Sequence, residues 1–387
     1  MKIGIITFWR SNDNYGQLLQ CWALQQYLKI MGFEPYLIRY DYNPVPNGLW
    51  WKRIVKLFLV FPAIVKIFRI RKKRIYTQKL TELNKRNRLR RFDEFRNNNL
   101  NMCSQVYHNL KELRKCPPEA DCYMTGSDQT WAQLVDIKNN WAYFLSFGQE
   151  EIPRIAYAPS FARNNYPQKI VPQLNKLLSK YSAISVREKD GVEICRKAGY
   201  TADHVLDPTF LLSKDDYISL LELRHNPTNQ FFLYSMNVEN PDEIRWKELK
   251  MFAKDCKRNI ICTVGSGLCP GFEIYDEVEY KYPKIKEWIE EIWNSDLVIT
   301  SSFHGVVFSI IMQTPFIFIP LTGIRGKGNG RIFELLEFLK LSDRILSPSK
   351  EYVDLLKQNI NWQMINVRLQ KEIDKSKAFL YRSCVNK

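Results

Sequence analysis

Short apolar runs alternate with amphipathic stretches along most of the chain. Residues 2–7, KIGIIT, form a short apolar run that stops in the polar loop FWRSNDNYGQ, the pattern of a parallel strand buried on both faces. In LLQCWALQQYLKIMG the apolar positions recur every three or four residues and stop at Gly32, which predicts a helix with a glycine just past its end. EPYLIRY reads as the next strand. The loop after the first strand then lies at the carboxyl edge of a parallel sheet, where such folds bind ligands. The same alternation places strands in DCYMTG, RIAYAPSF and AISV, with a helix over QKIVPQLNKLLSKY. In the second half QFFLYSM, NIICTV, DLVIT and PFIFIP are strand-like, and EIRWKELKMFAKDC and PKIKEWIEEIWNS are helical between them. The expected fold class is α/β, two doubly wound Rossmann-like domains facing a central cleft. Residues 1–207 form the first, 208–350 the second, and 351–387 a helical tail that folds back. Asp207-Pro208 is a turn signal and reads as the link.

A chain of 387 residues exceeds what one hydrophobic core fills, in keeping with two domains. Its nine cysteines contain no C-x-x-C pair, and Met1 leads into KIGIIT without a secretory signal. A reducing, cytoplasmic compartment is expected rather than a disulfide framework. The net charge of +16 is confined: Lys52 to Arg91 holds fifteen Lys or Arg against Glu82 alone, +14 of the total. That charge describes the partner of one insertion at about 49–100, not of the whole surface. Within LWWKRIVKLFLVFPAIVKIFRIRKKRI the longest uncharged run is nine residues, Leu57 to Val65, well short of the roughly 20 that a spanning helix needs. On a helix, Lys52, Lys56, Lys66 and Lys73 face away from Trp51, Ile54, Val55, Phe58 and Phe61, and Pro62 would kink it. Such a helix suits the interface of an anionic membrane through about 49–74; the alternative is a hairpin packed on its own domain. TQKLTELNKRNRLRRFDEFRNNNL is expected to continue as a solvated helix. It lacks interleaved aromatic stacking platforms, so no nucleic-acid partner is expected.

Candidate chemistry collects at predicted strand ends. Asn12, Asp13, Asn14, Tyr15, Gly16 and Gln17 suit hydrogen bonding to a sugar, although Asn, Asp and Gly are also ordinary turn formers. In GSDQTW, Gly126 and Ser127 can bring backbone amides to an anion, and Asp128 and Gln129 can recognise hydroxyls. Arg187 follows AISV and can fork onto a carboxylate or phosphate, or merely pair with Glu188 or Asp190. DLVITSSFHG runs from a strand through Ser302 to His304 and Gly305 at a helix N-terminus, a place where anions bind. His304 there can meet an anion or move a proton, or simply cap the helix. LTGIRGKGNGR is not a Walker A loop, yet its Arg325, Lys327 and Arg331 can gather around a phosphate. No His and carboxylate cluster has metal-ligand spacing, so no metal is expected.

Seven motifs in order, NDNYGQ, GSDQTW, AYAPSF, ISVREKDG, VLDPTFLL, TSSFHG and GRIFELLEFLKL, resemble those of the polysaccharide pyruvyl transferases. The resemblance spans most of the chain, sparing the basic insertion and the tail. It implies a GT-B-like fold with the site between two Rossmann-like domains. It also implies phosphoenolpyruvate as donor, with no further cofactor, and a pyruvate ketal placed on two hydroxyls of a saccharide in cell-surface or capsular polysaccharide. Arg187 and His304 match donor-site positions; Arg331, or else Lys327, matches a third; Asn12, Asp13 and Asn14 face the acceptor. GSDQ departs from the more glycine-rich loop of many relatives. Phosphoenolpyruvate carries two anionic groups, which Arg187 and Arg331 suit. His304 would protonate its methylene carbon or bind its phosphate, and Asp13 or Asp128 would take the hydroxyl proton. With the basic insertion, a lipid-linked acceptor at the inner face of the cell membrane is expected, the protein being peripheral there. A glycosyltransferase using a nucleotide sugar and a catalytically silent binder of glycan or membrane are the competing readings.

Overall fold

A computed structural model describes residues 1–10, 14–41, 63–132, 137–323, 325–356 and 359–385, with backbone alone for 63–72 and Lys327. The apolar runs become two fully parallel sheets. The first contains β1 (Lys2–Ile6), β2 (Glu34–Tyr40), β3 (Met102–Tyr107), β4 (Cys122–Thr125), β5 (Arg154–Ala156), β6 (Ala183–Val186) and β7 (Asp203–His204), ordered β3-β2-β1-β4-β5-β6-β7. The second contains β8 (Gln230–Met236), β9 (Asn259–Gly265), β10 (Glu279–Tyr280), β11 (Leu297–Thr300) and β12 (Phe316–Phe318), ordered β10-β9-β8-β11-β12. In each sheet the winding reverses beside the first strand, opening a crevice at the carboxyl ends of β1 and β4, and of β8 and β11. The loops at these four ends begin at Thr7, Gly126, Asn237 and Ser301.

The helix Tyr15–Ile30 ends as its sequence predicts. Gly32 takes φ 84°, its amide bonds Lys29 O, and the Phe33 amide bonds Leu28 O, a pairing that satisfies the last helical carbonyls. Most of this helix is buried because it lies between the two sheets. Its first residue, Tyr15, stacks on Trp288 with centroids 4.9 Å apart and donates its hydroxyl to Pro283 O at 2.7 Å. One apolar core runs through this junction, from Leu18 and Trp22 to Trp288, Phe303 and Phe308. Each such side chain contributes about 1.5–3 kcal/mol. The tail helix Trp362–Val385 starts against the second sheet's core at Ile365 and Leu369, then reaches the first, where Phe379 and Leu380 pack with Ile3, Ile5 and Leu24.

The solvated continuation expected after the basic insertion is only partly found. The helix Ala63–Asn87 does expose residues 73–79, but it ends before Arg91, which is left-handed at φ 49°, and a new helix runs Phe92–Asn99. Leu83, Arg90, Phe92 and Arg96 are buried. Arg90 lies over the rings of Tyr15 and Tyr282 and donates to Val264 O, while Arg86 pairs with Glu273. A charged pattern reads as solvated, yet guanidinium groups can be buried where aromatic faces and carbonyls receive them. The expected kink at Pro62 and most of the segment expected to contact a membrane lie outside the described residues. Among the described residues no helix is long and apolar enough to cross a membrane.

Candidate active site

Arg187, at the carboxyl end of β6, is not on the surface beside an acid: its side chain is 3% exposed. Nη1 donates to Asp207 Oδ2 at 2.8 Å, and Nε reaches Glu188 Oε1 at 3.3 Å. Ser127 Oγ donates to the same Asp207 oxygen at 3.1 Å. The other oxygen of Asp207 accepts from the Thr209 amide and hydroxyl, at 3.1 and 2.8 Å. Burial alone would raise the Asp207 carboxyl, but His304 and Arg187 more than reverse this and hold it well below the usual carboxylate range. Asp207 is thus a fully buried carboxylate whose lone pairs are met on both sides.

His304 comes from the other sheet, at the start of the helix Phe303–Met312. Ser302, not His304, is the cap, its Oγ accepting from the Gly305 amide at 3.4 Å. The cap is set against the strand end because Ser302 N donates to Thr300 Oγ1 at 3.1 Å. Gly305 is required there, since a Cβ would fall 2.3 Å from Thr300 Oγ1. His304 Nε2 lies 3.7 Å from Asp207 Oδ2, an electrostatic contact longer than a hydrogen bond. The opposite side of the ring rests on Gly16, in the first turn of Tyr15–Ile30: a Cβ on Gly16 would stand 2.0 Å from His304 Nδ1. Gly16→Ala is therefore expected to displace the imidazole and lower kcat/KM by about 10²-fold, measured beside the unfolding midpoint to separate the effect from overpacking.

Arg331, in the first turn of the helix Gly330–Leu339, completes the group. Its guanidinium carbon lies 4.9 Å from the Phe303 ring centroid and that of Arg187 5.0 Å. The residue is only partly buried, yet its Nε and Nη1 are shut off from solvent and unpartnered. Burial and then repulsion from Arg187 lower Arg331 to about 10, against the pull of Asp128, Glu188 and Asp207. Arg187 Nη2 and His304 Nε2 are likewise buried without a hydrogen-bond partner. Four unpartnered nitrogens on Arg187, Arg331 and His304, drawn from both halves, converge beside the paired Asp207 carboxylate, an arrangement suited to an anion. A cavity of about 310 Å³ adjoins it, lined in part by Arg187, Asp207, Phe303 and Arg331.

Comparison with known proteins bears on the family and the fold. The family model for polysaccharide pyruvyl transferase matches residues 14–322. The chain belongs to the polysaccharide pyruvyl transferase family. Membership implies a transferase acting on polysaccharide. Among solved structures, UDP-GlcNAc 2-epimerase from Methanocaldococcus jannaschii is similar with 12% identity and a TM-score of 0.50, over 97% of this chain and 93% of that one. UDP-N-acetylglucosamine 2-epimerase from Rickettsia bellii gives 11% and 0.40, over 100% of both chains. The fold is GT-B-like, two Rossmann-like halves about a cleft. Comparison with curated protein sequences finds no match.

The expected site residues of this pyruvyl transferase family member separate into three groups. Arg187, His304 and Arg331 come together, with Ser302 and Gly305 shaping the turn that holds His304. Others hold structural places. Tyr15 is sealed between the halves and cannot face an acceptor. Ser127 is fully buried in the Asp207 network, and the Gly126 amide donates to Ile6 O at 2.9 Å, so that amide is not left for an anion. Arg325 turns away from the cation pair to Glu243, 3.1 Å away, and Asn237 O. Asn14 caps its helix through the Gln17 amide at 3.2 Å. Gln17 and Gln129 are partly exposed. Asp128 is buried near both arginines at φ 77°, ψ −177°. That backbone region is otherwise left to glycine, at roughly 1–3 kcal/mol of strain, and Ser160 N holds it by donating to Asp128 O at 2.8 Å. Asn12, Asp13 and the Lys327 side chain lie outside the described residues. Among the described residues no group of three or more His, Cys, Asp or Glu gathers to hold a metal.

Two roles were not legible in the sequence: Gly16, expected in a sugar-binding loop, instead backs the His304 ring, and Asp207, expected as a turn, also pairs with Arg187. Asp-Pro looked like a turn, and it is one, but the turn also delivers a carboxylate to the cations of the cleft.

Proposed function

We propose that the protein transfers pyruvate from phosphoenolpyruvate to two hydroxyls of a saccharide, forming a ketal. The observation that carries this reading is the set of unpartnered buried nitrogens on Arg187, Arg331 and His304. Phosphoenolpyruvate brings a phosphate and a carboxylate, enough acceptors for both guanidinium groups. Protonation of its methylene carbon generates an oxocarbenium-like C2, and a sugar hydroxyl adds there with loss of its proton. Phosphate then leaves with the C–O bonding pair, and the second hydroxyl closes the ring as its own proton departs. Product and inorganic phosphate account for every atom. His304 serves as the proton donor to carbon, with Asp207 orienting it and supplying a counter-charge across 3.7 Å. Asp13 or Asp128 takes the hydroxyl proton. A lipid-linked acceptor, delivered at an anionic inner membrane face through residues 49–74, is the natural partner for the basic insertion.

Incubation with phosphoenolpyruvate and a panel of lipid-linked, galactose-containing acceptors should release phosphate and yield a product heavier by one pyruvate ketal. Absence of phosphate release across the whole panel sinks the reading. Phosphoenolpyruvate alone should stabilise the protein, by about 2.7 kcal/mol at a hundredfold excess over its Kd. Stabilisation by nucleotide sugars instead would mark a glycosyltransferase.

A further inference from the structure

The cation pair is divided between the two halves of the molecule. Arg187 ends a strand of the first sheet, and Arg331 opens a helix packed on the second. Two guanidinium groups of like charge held across such a joint repel one another, and Arg331 carries no hydrogen bond at Nε or Nη1 to fix it. Glu334 lies one turn beyond Arg331 on the same helix, three residues on and so on the same face. Its Oε1 stands 3.7 Å from His204 Nε2 and 3.6 Å from Lys189 Nζ, while Oε2 is 3.5 Å from the Lys189 amide. Both partners belong to the first half. Lys189 is two residues past Arg187, at the start of the helix Lys189–Lys197. His204 Nε2 also faces Arg187 O at 3.2 Å. Since both neighbours of Nε2 are acceptors, that nitrogen carries the proton. A continuous path therefore runs from the Arg187 backbone through His204 to Glu334 and one helical turn back to Arg331.

We propose that Glu334 is a positioning residue for the anionic donor, latching the helix that presents Arg331 onto the strand end that presents Arg187. Its Oε1 is buried and lacks a hydrogen bond, so the contacts at 3.6 and 3.7 Å have room to shorten. An anion bridging the two guanidinium groups draws the halves together and seats the carboxylate on His204 and Lys189. The inference rests on the donor reading above, in that the anion is taken to occupy this same site.

The test turns on the sign of an effect. A bystander carboxylate beside an anion site repels the ligand, so removing it tightens binding; removing a latch weakens it. Titration calorimetry with inorganic phosphate and with phosphoenolpyruvate should show Glu334→Ala weakening both by about tenfold. Glu334→Gln, which keeps an acceptor oxygen for His204, should bind within about threefold of the wild type. In turnover, the Ala variant should raise KM for phosphoenolpyruvate about tenfold and leave kcat within about threefold. Unchanged or tighter phosphate binding in Glu334→Ala overturns the latch, as does a Gln variant no better than Ala. Phosphate binding is read without turnover, so a wild-type protein that binds phosphate but does not consume phosphoenolpyruvate would remove the donor reading and leave the latch standing on its own measurement.

Discussion

His304→Gln is expected to lower pyruvyl transfer by about 10²–10⁴-fold, the range that a positioned acid or base contributes. Gln retains comparable bulk and a polar end but cannot carry the proton. The unfolding midpoint should fall modestly, because His304 faces the buried Asp207 carboxylate at 3.7 Å and helps to hold it ionised, so turnover is compared where both proteins stay folded. Binding of phosphoenolpyruvate should survive through Arg187 and Arg331, so the loss should fall on kcat. If instead kcat holds and KM rises steeply, His304 binds the phosphate and the proton comes from elsewhere. Near-normal kcat/KM would remove His304 from the chemistry.

The second large effect is on stability. Asp207→Asn leaves the Arg187 guanidinium buried beside a neutral amide. Breaking one partner of a buried pair costs about 3–5 kcal/mol, and the surviving Glu188 contact at 3.3 Å places this case at the lower end. Thermal or denaturant unfolding should show it as a reduced midpoint. The acid limb provides a further check. Asp207 is depressed in the folded protein, by His304 and Arg187 against the opposing effect of burial. Its stabilising contribution is complete above the unfolded value of about 3.9 and is lost as pH falls through the lower folded value. The wild type should therefore lose stability below about pH 4, and Asp207→Asn should flatten that part of the curve. An Asn variant with unchanged midpoint and unchanged acid limb would show that Asp207 does not hold Arg187 in place.

Both effects arise at positions that differ in how plainly the sequence displays them. His304 was visible because a strand, two serines and a glycine surround it, and each of these has a local consequence: Ser302 caps the helix, Thr300 receives the Ser302 amide, and Gly305 allows the close approach. Arg187 was visible because AISV is an apolar strand and the arginine stands at its end. Asp207 was read only as a turn. Its carboxylate becomes chemical only where Arg187, 20 residues away, and His304 of the other half arrive beside it. Gly16 shows the same limit. Nothing around it in NDNYGQ announces that an imidazole 288 residues further along rests against its Cα.

Charge patterning misled for a related reason. Arg90 and Arg325 belong to strongly cationic stretches, one read as solvated and the other as phosphate-seeking. The fold gives Arg90 two aromatic faces and a carbonyl, and gives Arg325 the carboxylate of Glu243. A formal charge in the sequence carries no information about which distant groups will neutralise it.

By itself, the sequence determined what depends on near neighbours: the parallel strands from apolar runs, the helix that stops at Gly32, the two α/β halves, and the strand-end loops where chemistry would lie. Its ordered motifs also pointed to the family. The tertiary structure alone decided which of those loops meet. The candidate site is assembled from the ends of strands in two sheets and from three helix starts, brought together by an apolar core that passes through Tyr15, Trp288 and Phe303. Local pattern sets where each side chain leaves its own strand or helix. Only packing between the halves sets Arg187, Arg331, His304 and Asp207 within reach of one another, because their mutual distances are fixed by contacts between segments far apart in the chain.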